Sequence, residues 1–267
     1  MRKYFSLFRI RLINNIQYRA ITVGGVLSNF IWIFMELMMY VAIYETADKI
    51  LPMSFSQIVS YVWVKRMVML MLTVVASDGE IYSVINDGSI AYELVRPIDL
   101  YWKWFFQAVS NRLAAMFASC VPILVLAFVL PEPFRLSAPT SVLQLIEFLI
   151  ALILALGVVV AFAMLMFITL FYTIAQRGIK IIVTALVSFL SGGMIPLTFF
   201  PDKVVSVLNM LPFSAMQSTP LLIYSGNLEG KDAVMGILFQ ALWLIALVVL
   251  GKTVMSISLK RVVVQGG

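Results

Sequence analysis

Six long apolar stretches limit what this chain can fold into more than any other feature of its sequence. They cover approximately residues 21–44, 57–76, 104–130, 142–173, 181–200 and 233–251. A helix needs about 20 residues to cross a hydrocarbon core about 30 Å thick, so each stretch is long enough. Because the stretches are continuously apolar and do not alternate with polar residues, they predict helices and not the strands of a lipid-facing barrel. The sequence therefore predicts an all-α integral membrane protein with six transmembrane helices.

The composition supports a membrane protein and excludes several kinds of chemistry. Hydrophobic residues make up 62% of the chain and charged residues only 12%, whereas soluble proteins carry about 25% charged residues. The chain has no histidine, which removes the commonest general base and metal ligand and excludes Ser-His and Cys-His nucleophile pairs. The single cysteine, Cys120, lies in an apolar stretch and is interpreted as a packing residue. We expect no metal site and no catalytic site.

The net charge of +6 is explained by topology, so we expect no nucleic-acid partner. With the N-terminus inside, the predicted inner segments hold twelve Lys or Arg residues and the predicted outer loops hold four. Positive residues collect on cytoplasmic loops. The bias therefore predicts a multi-pass protein with both termini in the cytoplasm.

The N-terminal segment, residues 1–20, is expected to lie along the cytoplasmic surface of the membrane. It places Phe5, Phe8, Leu12 and Ile16 at helical spacing among five Lys or Arg residues. Such an arrangement is typical of an interfacial amphipathic helix. The alternative is that the positive charges only set the topology.

The first cytoplasmic loop, residues 78–99, is predicted to form two short helices and to dock on another protein. Gly88 and Pro97 are expected to end them. The residues expected at the docking surface are acidic or form one apolar face: Asp78, Glu80, Ile81, Val84, Ile85 and Asp87, with Arg96 nearby. Glu93 and Asp99 add two further carboxylates to the loop. The alternative is a loop that packs only on its own spans.

Three charged residues lie deep inside predicted spans. Glu36 in the first span and Lys65 in the second lie at similar depths, which predicts a pair between Glu36 and either Lys65 or Arg66. Charges within the membrane normally face one another or a protein interior, so the alternative is that each faces a partner subunit. Arg112 lies nearer the end of its span, where snorkelling to the surface would suffice.

Glycines and prolines interrupt the chain after the fifth stretch. Gly192, Gly193, Pro196 and Pro201 are expected to break the fifth span near its outer end. A short apolar face follows and predicts a re-entrant or surface-lying helix before the sixth span. This segment is expected either to gate an exit or to act as a structural cap.

Two of these segments together resemble the ABC-2 type membrane subunits of bacterial ATP-binding-cassette exporters. The first runs from Asn86 to Pro97 and is similar to the pattern Gly-x-acidic-x-x-Leu-x-Arg-Pro, with the acidic residue displaced to Glu93. The second is the break from Ser191 to Asp202, followed by Leu211-Pro212-Phe213. The resemblance covers essentially the whole chain.

The resemblance implies a permease subunit in the bacterial cell membrane that couples to a separate ABC ATPase through loop 78–99. A second permease subunit, identical or paralogous, would complete the path. ATP and Mg²⁺ would bind the partner ATPase, because Gly251-Lys252-Thr253 lacks the earlier glycine of a P-loop. We therefore expect no cofactor in this chain. The alternatives are an ATP-independent secondary transporter or channel, and a membrane enzyme that modifies lipids.

Overall fold

The protein is described by a computed structural model that covers residues 6, 8–13, 23–47, 51–74, 78–86, 89–172 and 176–260. Throughout these residues the regular structure is helical. Residues 8–13 form α1, and the remaining helices are α2 (Val23–Thr46), α3 (Phe55–Leu72), α4 (Gly79–Asn86), α5 (Ile90–Leu94), α6 (Leu100–Val129), α7 (Val142–Thr169), α8 (Gln176–Leu190), α9 (Asp202–Met210), α10 (Pro212–Met216), α11 (Ser218–Tyr224) and α12 (Gly230–Leu259).

In the described part of the chain, five helices are long and apolar enough to cross a membrane. Their spanning segments are Leu27–Thr46, Phe55–Leu72, Leu100–Val129, Val142–Thr169 and Gly230–Leu259. The predicted all-α membrane architecture is confirmed. Four of these helices differ from the predicted stretches by four residues or more at one end: α3 ends at Leu72 and not at 76, α6 begins four residues before 104, α7 ends at Thr169 and not at 173, and α12 continues to Leu259, beyond 251.

The stretch predicted at 181–200 forms a shorter helix. The helix α8 ends at Leu190, and a turn leads to a 3₁₀ turn at Leu197–Phe199. With 15 residues, α8 rises about 22 Å, less than the hydrocarbon core. Gly192 has a φ of 84°, a backbone conformation that ends an α-helix.

The centre of the bundle is formed by α3 and α7. The helix α7 packs most extensively against α12, and α3 packs against α2, α6, α7 and α11. A Cβ atom added at Gly157 of α7 would lie 2.9 Å from Leu244 Cδ1 of α12, so this glycine allows the two helices to approach closely. Trp63 of α3 is fully buried and donates from Nε1 to the Phe134 carbonyl at 2.9 Å. This bond holds the α6–α7 connection against α3.

The segment α10–α11 is re-entrant. Gln240 of α12 donates from Nε2 to the carbonyls of Ala215 in α10, at 2.9 Å, and Ala151 in α7, at 3.1 Å. Gln240 and Ala151 lie roughly ten residues inside their helices, which places α10 about 15 Å deep in the bundle. The helix α11 then returns to the N-terminal end of α7, where Gln144 Nε2 donates to the Ile223 carbonyl at 2.8 Å.

Candidate functional site

The short helix α4 lies at the end of the bundle where α3 and α6 are connected, and Glu80 joins it to two neighbours. Arg11 of α1 forms a two-pronged ion pair with Glu80; its Nη2 lies 2.7 Å from Oε1. Gln107 of α6 donates from Nε2 to Glu80 Oε2 at 3.0 Å. The hydrogen bonds from Arg11 lower the pKa of the Glu80 carboxyl, and the same pairing raises the pKa of Arg11. Glu80 therefore holds α1 and α6 against α4.

Tyr82 joins α4 to two further helices. Its ring packs edge-on against Phe167 of α7 with 5.2 Å between the ring centroids. Lys180 of α8 places Nζ 3.0 Å from the centroid of the Tyr82 ring, which is a cation–π contact. With the contacts of Glu80, this joins α4 to the four described helices α1, α6, α7 and α8, so α4 is anchored to the bundle.

Arg112 and Asp78 form a buried ion pair at the start of α4. Arg112 Nη1 lies 2.9 Å from Asp78 Oδ2, and both side chains are fully buried. The guanidinium also donates to the carbonyls of Val74, at 2.6 Å, and Thr73, at 3.3 Å, just after the end of α3. The interpretation that Arg112 snorkels to the surface is therefore wrong. Its side chain points inward because the free carbonyls of α3 and the Asp78 carboxylate need a buried donor.

The acids of α5 and the following turn also contact the chain's own cations. Glu93 accepts from Lys103 Nζ and, at 3.2 Å, from Trp104 Nε1, both in α6. Asp99 caps α6 by accepting from the Trp102 amide at 3.2 Å. The loop acids in the described part of the chain thus hold the loop to the bundle instead of forming a free acidic surface. Asp87 lies outside the described residues.

The second short helix of the loop and the turn after it expose apolar side chains. Tyr92 is 78% exposed, Leu94 41% and Val95 85%, and Arg96 and Pro97 are exposed beside them. We call residues 92–97 the exposed tip. Of the apolar residues predicted to dock, Ile81 is buried and Val84 and Ile85 are half-buried. Sequence reasoning missed Tyr92 and Val95; the available signal was two large apolar residues beside Arg96-Pro97 that fit no buried helical face.

The three intramembrane charges lie together. Lys65 donates from Nζ to Glu36 Oε1, and Arg66 Nη2 lies 3.5 Å from Glu36 Oε2. The structure thus brings Glu36 into contact with both cations, between α2 and α3.

The glycines of the break make close contacts with the bundle. Tyr61 donates from Oη to the Gly192 carbonyl at 3.0 Å. A Cβ atom at Gly193 would lie 2.5 Å from Gln217 Oε1, and Gln217 Nε2 donates to the Leu72 carbonyl at 3.2 Å. Pro196 precedes the 3₁₀ turn and Pro201 precedes α9. The break therefore connects α8 to α3 and to the re-entrant segment.

These features define a class: a helical multi-pass membrane protein with a re-entrant segment at one end and an anchored loop with an exposed tip at the other. A family model described as an ABC-2 family transporter protein matches residues 30–266. The chain belongs to the ABC-2 transporter family. Among curated proteins, none matches it.

Proposed function

We propose that this chain is the permease subunit of an ATP-driven exporter and that its exposed tip contacts a separate ABC ATPase. Membership of the ABC-2 transporter family supports a transport role. The observation that carries the coupling role is the tip itself, in which Tyr92 and Val95 are largely exposed on a loop that is otherwise anchored. Tyr and Arg, here Tyr92 and Arg96, are the residue types typical of interface anchors, and exposed apolar residues beside them are typical of the surfaces where proteins bind one another.

The contacts behind the tip support transmission of movement into the membrane. Glu93 holds α5 to α6, and the Arg112–Asp78 pair holds the start of α4 to α6 and to the end of α3. Because these ion pairs are buried or half-buried, a displacement of the tip would move the ends of α3 and α6 with it. A loop joined only by its two chain ends would bend instead.

The proposed arrangement places the α4–α5 end in the cytoplasm, where the excess of Lys and Arg predicts it. Both termini would then be cytoplasmic, and the protein would lie in the bacterial cell membrane. ATP and Mg²⁺ would bind the partner ATPase. The transport path would form with a second permease subunit, identical or paralogous.

Affinity purification of the full chain from native membranes in mild detergent, followed by mass spectrometry, tests this proposal. An ABC ATPase should co-purify, and the complex should hydrolyse ATP. A chain that transports in vesicles with no ATPase bound would contradict the proposal and favour an ATP-independent transporter. Lipid modification by the purified chain would favour the enzyme alternative.

A further inference from the structure

The charges between α2 and α3 do not cancel. Glu36 is one carboxylate against two cations, Lys65 and Arg66, and the three side chains are only 12%, 7% and 11% exposed. Within the described residues, the ion pairs of these cations both go to Glu36. One positive charge therefore remains at a depth where an uncompensated charge is costly. A further anion at this position would remove that cost.

Arg66 is the cation with the most unused donors. Among the described residues, its buried Nε has no hydrogen-bond partner and its Nη1 contacts a thioether, Met69 Sδ, at 3.4 Å; a thioether sulfur is a weak acceptor. Lys65 Nζ already bonds the other oxygen of Glu36, so the guanidinium, with two nitrogens that bond no oxygen in the described part of the chain, has the larger capacity left. A planar guanidinium fits carboxylate and phosphate oxygens in a two-pronged geometry.

Exposed apolar residues lie close to Arg66 along α3 and close to Glu36 along α2. On α3, Met69 is 44% and Leu70 42% exposed, although most of α3 is buried; on α2, Met35 is 56% and Met39 44% exposed. Arg66 lies six residues before the end of α3 at Leu72, about 9 Å from that end. The free guanidinium donors thus lie beside an apolar surface in the half of the bilayer nearer to α4.

We propose that Arg66, with Lys65 and Glu36, binds the phosphate or carboxylate headgroup of an anionic membrane amphiphile. Its apolar chains would lie on the exposed methionines and Leu70. The headgroup would supply the missing negative charge and the acceptors for Arg66. This proposal does not depend on the tip contacting an ATPase.

Native mass spectrometry of the purified full chain, with lipids added in defined detergent, tests the site. Phosphatidylglycerol should form a retained adduct and phosphatidylcholine should not. Arg66→Gln should weaken the adduct about tenfold or more, because it removes the charge and the charge-assisted hydrogen bonds to the headgroup. Glu36→Gln should strengthen it. Arg135→Gln removes an exposed cation of the α6–α7 connection and should leave the adduct unchanged.

Two further measurements separate the alternatives. Arg66→Lys keeps the charge but loses the two-pronged geometry, so it should bind phosphatidylglycerol several-fold more weakly even if Arg66→Gln fails to fold. Inorganic phosphate should not stabilise the wild type against thermal unfolding where phosphatidylglycerol does. Equal binding of both lipids, an adduct that survives both Arg66 variants, or stabilisation by inorganic phosphate alone would overturn the proposal. The proposal would also be overturned if the wild type showed no lipid preference and Arg66→Gln lost subunit association. That result would mean that an acidic side chain of a second copy supplies the missing negative charge.

Discussion

Arg112 and Asp78 form an ion pair in which neither side chain is exposed, and the same guanidinium bonds the carbonyls that follow α3. Arg112→Gln should therefore destabilise the protein by about 3–5 kcal/mol, because it leaves the Asp78 carboxylate buried without its cation. Thermal unfolding in detergent measures the change. The double variant Arg112→Gln with Asp78→Asn should recover part of the loss, since it removes both charges.

The pair between Lys252 and Asp99 provides a matched control. Its atoms lie 3.4 Å apart, but the side chains are 51% and 38% exposed. Exposed ion pairs contribute about 0–1 kcal/mol, so Lys252→Gln should barely change the unfolding temperature. An equal effect of Lys252→Gln and Arg112→Gln would mean that burial does not set the strength of these pairs.

The contact between α1 and α4 should weaken in acid. Because Arg11 lowers the pKa of Glu80, the pair stabilises the docked α1 above the usual glutamate pKa of about 4.3 and is lost as the pH falls through the lowered value. Spin labels at the exposed positions Ile13 and Ser83 should give a narrow distance distribution at neutral pH that broadens at low pH. Glu80→Gln should broaden it at neutral pH, whereas Glu132→Gln, at an exposed position on the α6–α7 connection, should not.

Gly193 is expected to tolerate no side chain. An added Cβ would lie 2.5 Å from Gln217 Oε1 and 3.0 Å from the Ser188 carbonyl, so Gly193→Ala should push Gln217 away from Leu72 and cost about 1–3 kcal/mol. Gly178→Ala in α8 is the control, because no atom of the described residues outside the adjoining turns of α8 lies within 4 Å of its added Cβ. The control should unfold at the wild-type temperature or slightly above it. Equal stability of both variants would show that the break is more loosely packed than described.

Gln240 is expected to hold the re-entrant segment in place. Gln240→Met keeps the volume but leaves the Ala215 carbonyl without its donor, which should cost about 1–3 kcal/mol. Hydrogen exchange of residues 212–224 should speed up in this variant. Thr253→Val changes an exposed position of the same helix and should leave that exchange unchanged. Unchanged exchange in Gln240→Met would show that α10 is held by packing alone.

Much of the fold could be predicted from the sequence because lipid imposes a simple rule. Continuous apolar stretches of sufficient length become helices, and glycines with prolines interrupt them, so the break at Gly192 and Pro196 could be read directly. Hydropathy alone could not fix the end of α8, because five of the ten residues from 191 to 200 are large and apolar although the helix has ended at Leu190. In lipid-facing segments, hydropathy does not distinguish a helix from a buried turn.

The partners of the loop acids could not be predicted. The sequence predicts that Glu80 and Glu93 belong to a negative surface. In the structure, Glu80 pairs with Arg11 of α1, which is distant along the chain, and Glu93 pairs with Lys103 in the first turn of α6. Arg112 shows the same limit, because its place near the end of a span predicts snorkelling and does not reveal the buried Asp78 carboxylate with which it pairs. In α5, Glu93 turns towards Lys103 and Trp104, whereas its neighbours Tyr92 and Val95 remain exposed.

The contact between the exposed tip and an ABC ATPase can be tested by replacing either of two exposed valines with aspartate. The two valines lie at opposite ends of the bundle. Val95 in the tip is 85% exposed and Val207 in α9 is 59% exposed, so aspartate at either position should be tolerated by the fold. The measurement is the amount of ABC ATPase that co-purifies with each variant from native membranes. We predict that Val95→Asp loses the ATPase while Val207→Asp retains it at the wild-type level. Retention of the ATPase at the wild-type level by Val95→Asp would contradict the proposed role of the tip.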